Sequence, residues 1–257
     1  LDRADRAYEN EKWSDALTHY EKLFERRARD EVPPEVYLRA ADAGVRAGNF
    51  SLAERYYHRG LRNGGGSRIA RELAEFYLKT SKYKKAVRIL QSLLDSNLPQ
   101  QPIYNNLGTA LMYAGSPLDA ESYLLVAQQM DPNDPYPYVN LGMLYDRHLN
   151  HPALAVGFYE CFRQMAPNAK EVRAVSNRMD ELKAALSEDR PAIGVRCGEA
   201  YQGSESTASA DLKQSLGISD DLVGGKTATS TDGGKVYDLS TLTPVDDSES
   251  GGEGGNG

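Results

Sequence analysis

The sequence predicts an all-α fold, an α-solenoid of about five helix pairs and a C-terminal capping helix, followed by a disordered tail. The first observation is an alanine that recurs at a spacing of 33 to 37 residues, at Ala16, Ala53, Ala86, Ala120 and Ala155. The second is that large apolar residues recur around each alanine at intervals of three and four, the spacing of one helix face. Such a period indicates stacked units that bury their apolar faces against one another.

The clearest repeat is the fourth, from Ile103 to Pro132. We expect Gly108 and Ala120 to lie where two antiparallel helices cross closely, because a larger side chain would separate them. The repeat combines an aromatic, a Leu-Gly pair, an alanine and a closing proline, carried by Tyr104, Leu107, Gly108, Ala120 and Pro132, and Leu111, Leu124 and Ala127 complete the two helical stripes. This pattern resembles one tetratricopeptide repeat. The resemblance implies a right-handed superhelix whose concave groove is lined by the first helix of each pair.

The other repeats follow the same plan. The first helix of repeat 1 is short, and Gly64 to Gly66 end the second helix of repeat 2, because glycine has little helical preference. Turns are predicted at Gly48-Asn49, Ser81-Lys82 and, one residue longer, at His148 to Pro152. Residues 168–188 carry apolar side chains at helical spacing and are predicted to cap the stack, so the repeat domain spans residues 1–188.

Residues 189–257 differ in composition from the rest. Residues 1–188 carry equal numbers of acidic and basic side chains, so the net charge of −7 lies entirely in 189–257, which is also rich in Gly, Ser and Thr. Such a segment buries too little apolar surface to offset the entropy of ordering, so we expect a flexible acidic tail. Ala208 to Val223 and Val236 to Leu239 are candidates for short motifs that order on a partner. A neutral body with an acidic tail argues against a nucleic-acid partner.

No catalytic constellation is present, so we predict no enzyme, no cofactor and no metal site. Asp146, His148 and His151 share a turn that we interpret as a solvated loop. Cys161 and Cys197 show no disulfide framework; we interpret Cys161 as an unpaired core residue and Cys197 as a thiol in the tail. No apolar run is long enough for a transmembrane segment.

The resemblance implies that the residue before the Leu of each Leu-Gly pair faces the groove. Here these residues are Asn106 and Asn140, whose amides donate to and accept from a peptide backbone at once. The alternative is that both are ordinary exposed residues. We expect five cationic side chains, named here the groove cations, to line the same groove: Arg46, Arg68, Arg71, Lys79 and Arg147. They suit a peptide with acidic groups, and the chain's own acidic tail would compete with such a peptide. The predicted peptide-binding residues are Arg71, Asn105, Asn106, Thr109, Tyr113, Tyr136, Asn140, Met143 and Arg147.

We therefore expect a non-enzymatic scaffold that binds a protein or peptide partner. Two alternatives stay open: a component of a bacterial envelope or pilus assembly machine, because lipoproteins of such systems look similar, and a regulatory repeat region of a larger enzyme. The chain begins at Leu1, as a processed chain or a fragment would. The compartment stays open between the cytoplasm and the bacterial envelope, periplasmic or lipid-anchored through a removed N-terminus. The partner and the oligomeric state are undetermined.

Overall fold

The computed structural model describes residues 1–26, 32–94, 96, 98–186 and 192–201, and all regular secondary structure in these ranges is helical. The predicted all-α class is therefore confirmed. The described residues form two compact units, a first unit of Leu1–Ala127 and a second unit from Gln128 onward. The two candidate motifs at 208–223 and 236–239, like the rest of 202–257, lie outside the described residues.

The first unit contains helices in antiparallel pairs. They are α1 (Asp2–Glu9), α2 (Trp13–Arg26), α3 (Pro34–Arg46), α4 (Phe50–Arg62), α5 (Gly66–Lys79), α6 (Tyr83–Gln91), α7 (Gln100–Ala114) and α8 (Pro117–Met130), of which α8 ends in the second unit. The predicted turns at Gly48-Asn49 and Ser81-Lys82 fall between helices, as do Gly64 and Gly65 of the predicted break, whereas Gly66 begins α5. Asn49 caps α4, since its Oδ1 accepts the N–H of Leu52 at 3.2 Å.

Small residues set the distance between paired helices in the first unit. A Cβ added to Gly44 would lie 3.0 Å from the Cβ of Ala53 on the paired helix. A Cβ on Gly108 would lie 2.6 Å from Leu124 Cγ and 3.1 Å from the carbonyl oxygen of Ala120. The predicted close crossing at Gly108 and Ala120 is thus confirmed.

One carboxylate links three helices of the first unit. Glu54 on α4 accepts hydrogen bonds from Lys82 Nζ at 2.6 Å, Lys85 Nζ at 2.7 Å and the Tyr77 hydroxyl at 2.9 Å. Burial by itself raises the pKa of Glu54, but the three hydrogen bonds outweigh it and lower the pKa to about 2. Glu54 therefore stays ionised and joins α4 to the end of α5 and the start of α6.

The second unit contains the fifth helix pair and the cap. Its helices are α9 (Pro135–Arg147), α10 (Pro152–Met165) and α11 (Val172–Ala185). The helix expected within 168–188 is α11, which buries Val175, Met179 and Leu182. Asp146 at the end of α9 has only 1% of its side chain exposed, and Arg178 of α11 donates to it twice, at 2.9 and 2.7 Å. This bidentate ion pair fixes the cap to the last repeat.

Cys161 and Cys197 are bonded to each other, with Cα atoms 5.1 Å apart, so the interpretation of both as unpaired is wrong. Their sequence separation of 36 matches no metal or disulfide motif, so the pairing could not be predicted from the spacing. The pair forms because residues 192–196, which have no regular secondary structure, run along α10 and bring Cys197 opposite Cys161. No helix in the described ranges is long and apolar enough to cross a membrane.

Candidate peptide-binding site

A cavity of about 310 Å³ opens between α3 and α5 in the first unit. Its apolar surface comes from Val45, Phe50, Tyr57 and Phe76. The ring of Phe76 lies 5.5 Å from that of Tyr57 and 6.2 Å from that of Phe50, measured between centroids. Phe50 remains 47% exposed, which is unusual for a residue in an aromatic cluster of a helical core. The cavity therefore presents one aromatic ring to a ligand.

Ion pairs surround this apolar floor. Asp42 accepts from Arg46 Nε at 2.9 Å and from the Tyr8 hydroxyl at 2.6 Å, and Glu75 lies 3.7 Å from Lys79 Nζ. Glu72 takes a 3.2 Å contact from Arg71. Burial and the bond to Asp42 raise the pKa of Tyr8 to about 12, so its hydroxyl remains a donor at neutral pH. An apolar floor with a polar rim is the usual composition of a site for a peptide side chain.

The predicted groove cations are mostly paired with carboxylates of their own unit. Arg46, Arg71 and Lys79 have the partners just described, and Arg147 Nε lies 3.8 Å from Asp146. The pairs of Arg46, Arg71 and Lys79 leave little net charge for a ligand, because each carboxylate neutralises its cation, whereas Arg147 shares Asp146 with Arg178. The attraction for an acidic peptide is therefore weaker than the sequence suggests.

Five of the nine predicted binding residues lie in the first unit. Asn105, Asn106 and Thr109 are buried on α7, Asn106 with 9% exposed. The Thr109 hydroxyl donates to the carbonyl of Asn105 at 2.9 Å. Tyr113 is exposed at the end of α7, and its ring stacks on Tyr83 at 5.0 Å between centroids. Arg71 lies on α5 beside Glu72.

The other four predicted residues lie in the second unit, on α9. Asn140 is only 4% exposed and Met143 is also buried, whereas Tyr136 is half-buried and Arg147 is exposed. The N–H of Tyr136 donates to the capping Asp134 at 3.0 Å. Neither Asn106 nor Asn140 is an ordinary exposed residue, so that alternative is wrong.

Sequence reasoning missed the cavity. It gave Phe50, Tyr57 and Phe76 no role in binding. The separation of 26 positions from Phe50 to Phe76 corresponds to no local pattern. The one available signal was Phe50 itself, a large aromatic at the first position of α4, where the first turn leaves a side chain near solvent.

Antiparallel helix pairs with a close crossing at small residues define a helical-repeat interaction protein. The model of the tetratricopeptide repeat matches residues 1–68, 38–102 and 71–135, which together span more than half of the chain. The chain therefore belongs to the tetratricopeptide repeat family.

Solved structures with the same fold share little sequence with this chain. YrrB, described as "a TPR protein with an unusual peptide-binding site", is 18% identical with a TM-score of 0.56, over 68% of this chain and 88% of YrrB. The C-terminal part of a TPR repeat-containing protein from Cytophaga hutchinsonii is 16% identical with a TM-score of 0.52, over 71% and 78%. No curated protein matches the chain. Identities this low show the fold alone.

Proposed function

We propose that this protein is a non-enzymatic scaffold whose first unit binds an extended peptide segment of a protein partner. An apolar side chain of that peptide occupies the cavity between α3 and α5. The observation that carries the proposal is the half-exposed ring of Phe50 above an apolar floor with a paired-ion rim. Burying such a ring under a ligand removes apolar surface from water and stabilises the complex. The peptide-binding site described for YrrB supports a peptide ligand for this fold.

The amide of Asn106 on α7 supplies the second part of the proposed site. An asparagine amide bonds a peptide N–H and a C=O together, so Asn106 suits a main chain of any sequence. Asn106 is only 9% exposed, and a hydrogen bond shielded from water is electrostatically stronger than an exposed one.

The test is selection of a random 12-residue peptide library displayed on phage against the full-length protein. Binding of an enriched peptide, labelled with fluorescein, is then measured by fluorescence anisotropy. We expect Phe50→Ala and Asn106→Ala each to weaken binding by about 5- to 30-fold, the effect of about 1–2 kcal/mol. Lys84→Ala, an exposed change on α6, is the matched control and should leave the dissociation constant unchanged. If every enriched peptide bound Phe50→Ala as tightly as the wild type, the cavity would not be the site.

The chain's own residues 202–257 are the acidic competitor in this proposal. Truncation after Tyr201 keeps the disulfide and removes most of the acidic charge of the C-terminal region. In the same assay, truncation should tighten peptide binding, and more so at low salt, because charge contacts are screened at high salt. Equal dissociation constants for the two chains at every salt concentration would rule out competition by this segment.

The disulfide favours the envelope alternative over the cytoplasm as the place of action. Disulfides persist in oxidising compartments such as the bacterial periplasm and are rare in the cytosol. To test this, protein from its native cells is quenched in acid and treated with a maleimide-polyethylene glycol, which adds mass to each free thiol. Without prior reduction, we expect no shift in mass. Two modified thiols before reduction would contradict an oxidising compartment.

A further inference from the structure

A segment without regular secondary structure lies along α10 of the second unit, and the spacing of its contacts matches that of the helix. We name residues 192–201 the C-terminal strap. The Ile193 N–H donates to the carbonyl of Ala153 at 2.9 Å, Val195 faces Gly157, and Cys197 is bonded to Cys161. Two residues of an extended chain advance about 6.6 Å, and four residues of a helix about 6.0 Å. From Ile193 to Cys197, every second strap residue therefore meets every fourth residue of α10. The strap then turns at Cys197 and Gly198, where Gly198 has a φ of 79°.

Gly157 makes this close approach possible. A Cβ at Gly157 would lie 2.2 Å from the carbonyl oxygen of Ile193 and 2.8 Å from Val195 Cγ2. The first of these contacts is to backbone, so no side-chain rotation relieves it. Glycine at this position thus leaves a channel just wide enough for a peptide main chain.

Two glutamine amides at the end of α8 bind the strap through its main chain. Gln128 Nε2 donates to the carbonyl of Glu199 at 2.7 Å, and Gln128 Oε1 accepts the N–H of Tyr201 at 2.8 Å. Gln129 Nε2 donates to the carbonyl of Tyr201 at 3.2 Å. Bonds to the main chain hold a peptide without selecting its sequence, as in peptide recognition by strand addition.

One side chain anchors the far end of the strap. The ring of Tyr201 meets that of Phe158 edge-on at 5.1 Å between centroids. The α10 channel, defined by Ala153, Gly157, Cys161, Phe158 and the two glutamines, therefore has the parts of a peptide site. It has a narrow apolar floor, amides for the main chain and one aromatic contact.

We propose that the α10 channel is a binding site for an extended peptide of a protein partner, held closed by the strap as a built-in ligand. The fitting peptide has a residue facing Gly157 that packs as Val195 does, and an aromatic six positions later, as Tyr201 is. While Cys161 and Cys197 are bonded, the strap cannot leave. Once they are reduced, the strap competes only as a tethered ligand, at an effective concentration of about millimolar.

Opening the channel requires a dithiol reductant. Cys197 is half-buried and Cys161 is buried, so a thiolate of the reductant attacks the Sγ of Cys197 and forms a mixed disulfide, and Cys161 leaves as a thiolate and takes up a proton. The second thiol of the reductant attacks the mixed disulfide and releases Cys197 as a thiol. Two electrons and two protons have then passed to the protein, and the reductant has become an intramolecular disulfide.

The experiment uses the full-length protein and a fluorescein-labelled peptide A-I-G-V-R-S-G-E-A-Y, the strap sequence with serine in place of the cysteine. Anisotropy is measured with the oxidised wild type, the wild type in dithiothreitol and Cys197→Ser. We expect the reduced wild type and Cys197→Ser to bind the peptide at least about 10-fold more tightly than the oxidised wild type, since only they let the strap leave. Equal binding to oxidised and reduced protein, or no binding to either, would overturn the proposal.

Two changes in the Cys197→Ser background test the location of the site. Gly157→Val should abolish peptide binding, because its side chain fills the channel, and Gln128→Ala should weaken it about 5- to 10-fold by removing two main-chain bonds. Gln164→Ala, an exposed glutamine of the same helix α10, is the matched control. Binding that survived Gly157→Val would place the peptide elsewhere. These residues lie in the second unit. A negative result would therefore rule out the α10 channel as a peptide site without bearing on the proposed site in the first unit.

Discussion

Replacing Glu54 by glutamine tests how one carboxylate joins three helices of the first unit. The pKa of Glu54 falls from 4.5 to about 2, which corresponds to a stabilisation of up to about 3 kcal/mol at neutral pH. Its partners Lys82 and Lys85 are 34% and 47% exposed, so water screens part of this interaction. We therefore expect Glu54→Gln to lower the free energy of unfolding by about 1–2 kcal/mol at pH 7.

The sign of the pH dependence follows from the direction of the pKa change. Because the pKa of Glu54 is lower in the folded than in the unfolded protein, its contribution is complete above about pH 4.5. It is lost as the pH falls toward 2, where the wild-type carboxylate takes up a proton. The difference between the wild type and Glu54→Gln should therefore shrink over this interval and vanish at its lower end.

The assay is urea unfolding followed by far-UV circular dichroism at a series of pH values. Glu21→Gln, a change of an exposed carboxylate on α2, corrects for the general effect of removing one negative charge. A difference that stayed constant from pH 7 to 2.5, or that was absent at pH 7, would refute the account of Glu54 as a charged link between helices.

Two further predictions concern buried contacts. Arg178→Met should lower the free energy of unfolding by about 3–5 kcal/mol, because Asp146 would keep a buried charge without its bidentate partner; adding Asp146→Asn should restore much of the loss in the same urea assay. Gly108→Val should lower the free energy of unfolding, measured by thermal unfolding, by about 1–3 kcal/mol, because its Cβ would lie 2.6 Å from Leu124 Cγ. Ala114→Val, at the half-buried end of α7, should lower it by less than about 1 kcal/mol. Equal costs for the two valine variants would contradict the role of Gly108 in the helix crossing.

The helices and turns were predictable because their signals are local. Glycine and asparagine mark the turn before α4, and the three-and-four spacing of apolar residues marks each helix face. Gly108 was assigned to a helix crossing from its place in the repeat alone, and its contact with Leu124 confirms the assignment. The predicted peptide-binding residues lie on the expected helices, but their burial was not foreseen, because burial depends on what lies over a helix.

The repeat pattern by itself determined the class of fold, the helix pairs and the capping helix, since each follows from residues within about one period of 34. Only the tertiary structure decided the cavity at Phe50 and Phe76, the pairing of the groove cations and the disulfide between Cys161 and Cys197. These features join residues from different helices or from a segment without a repeat pattern. The period fixes which face of a helix is buried, but it does not fix which distant side chain that face meets.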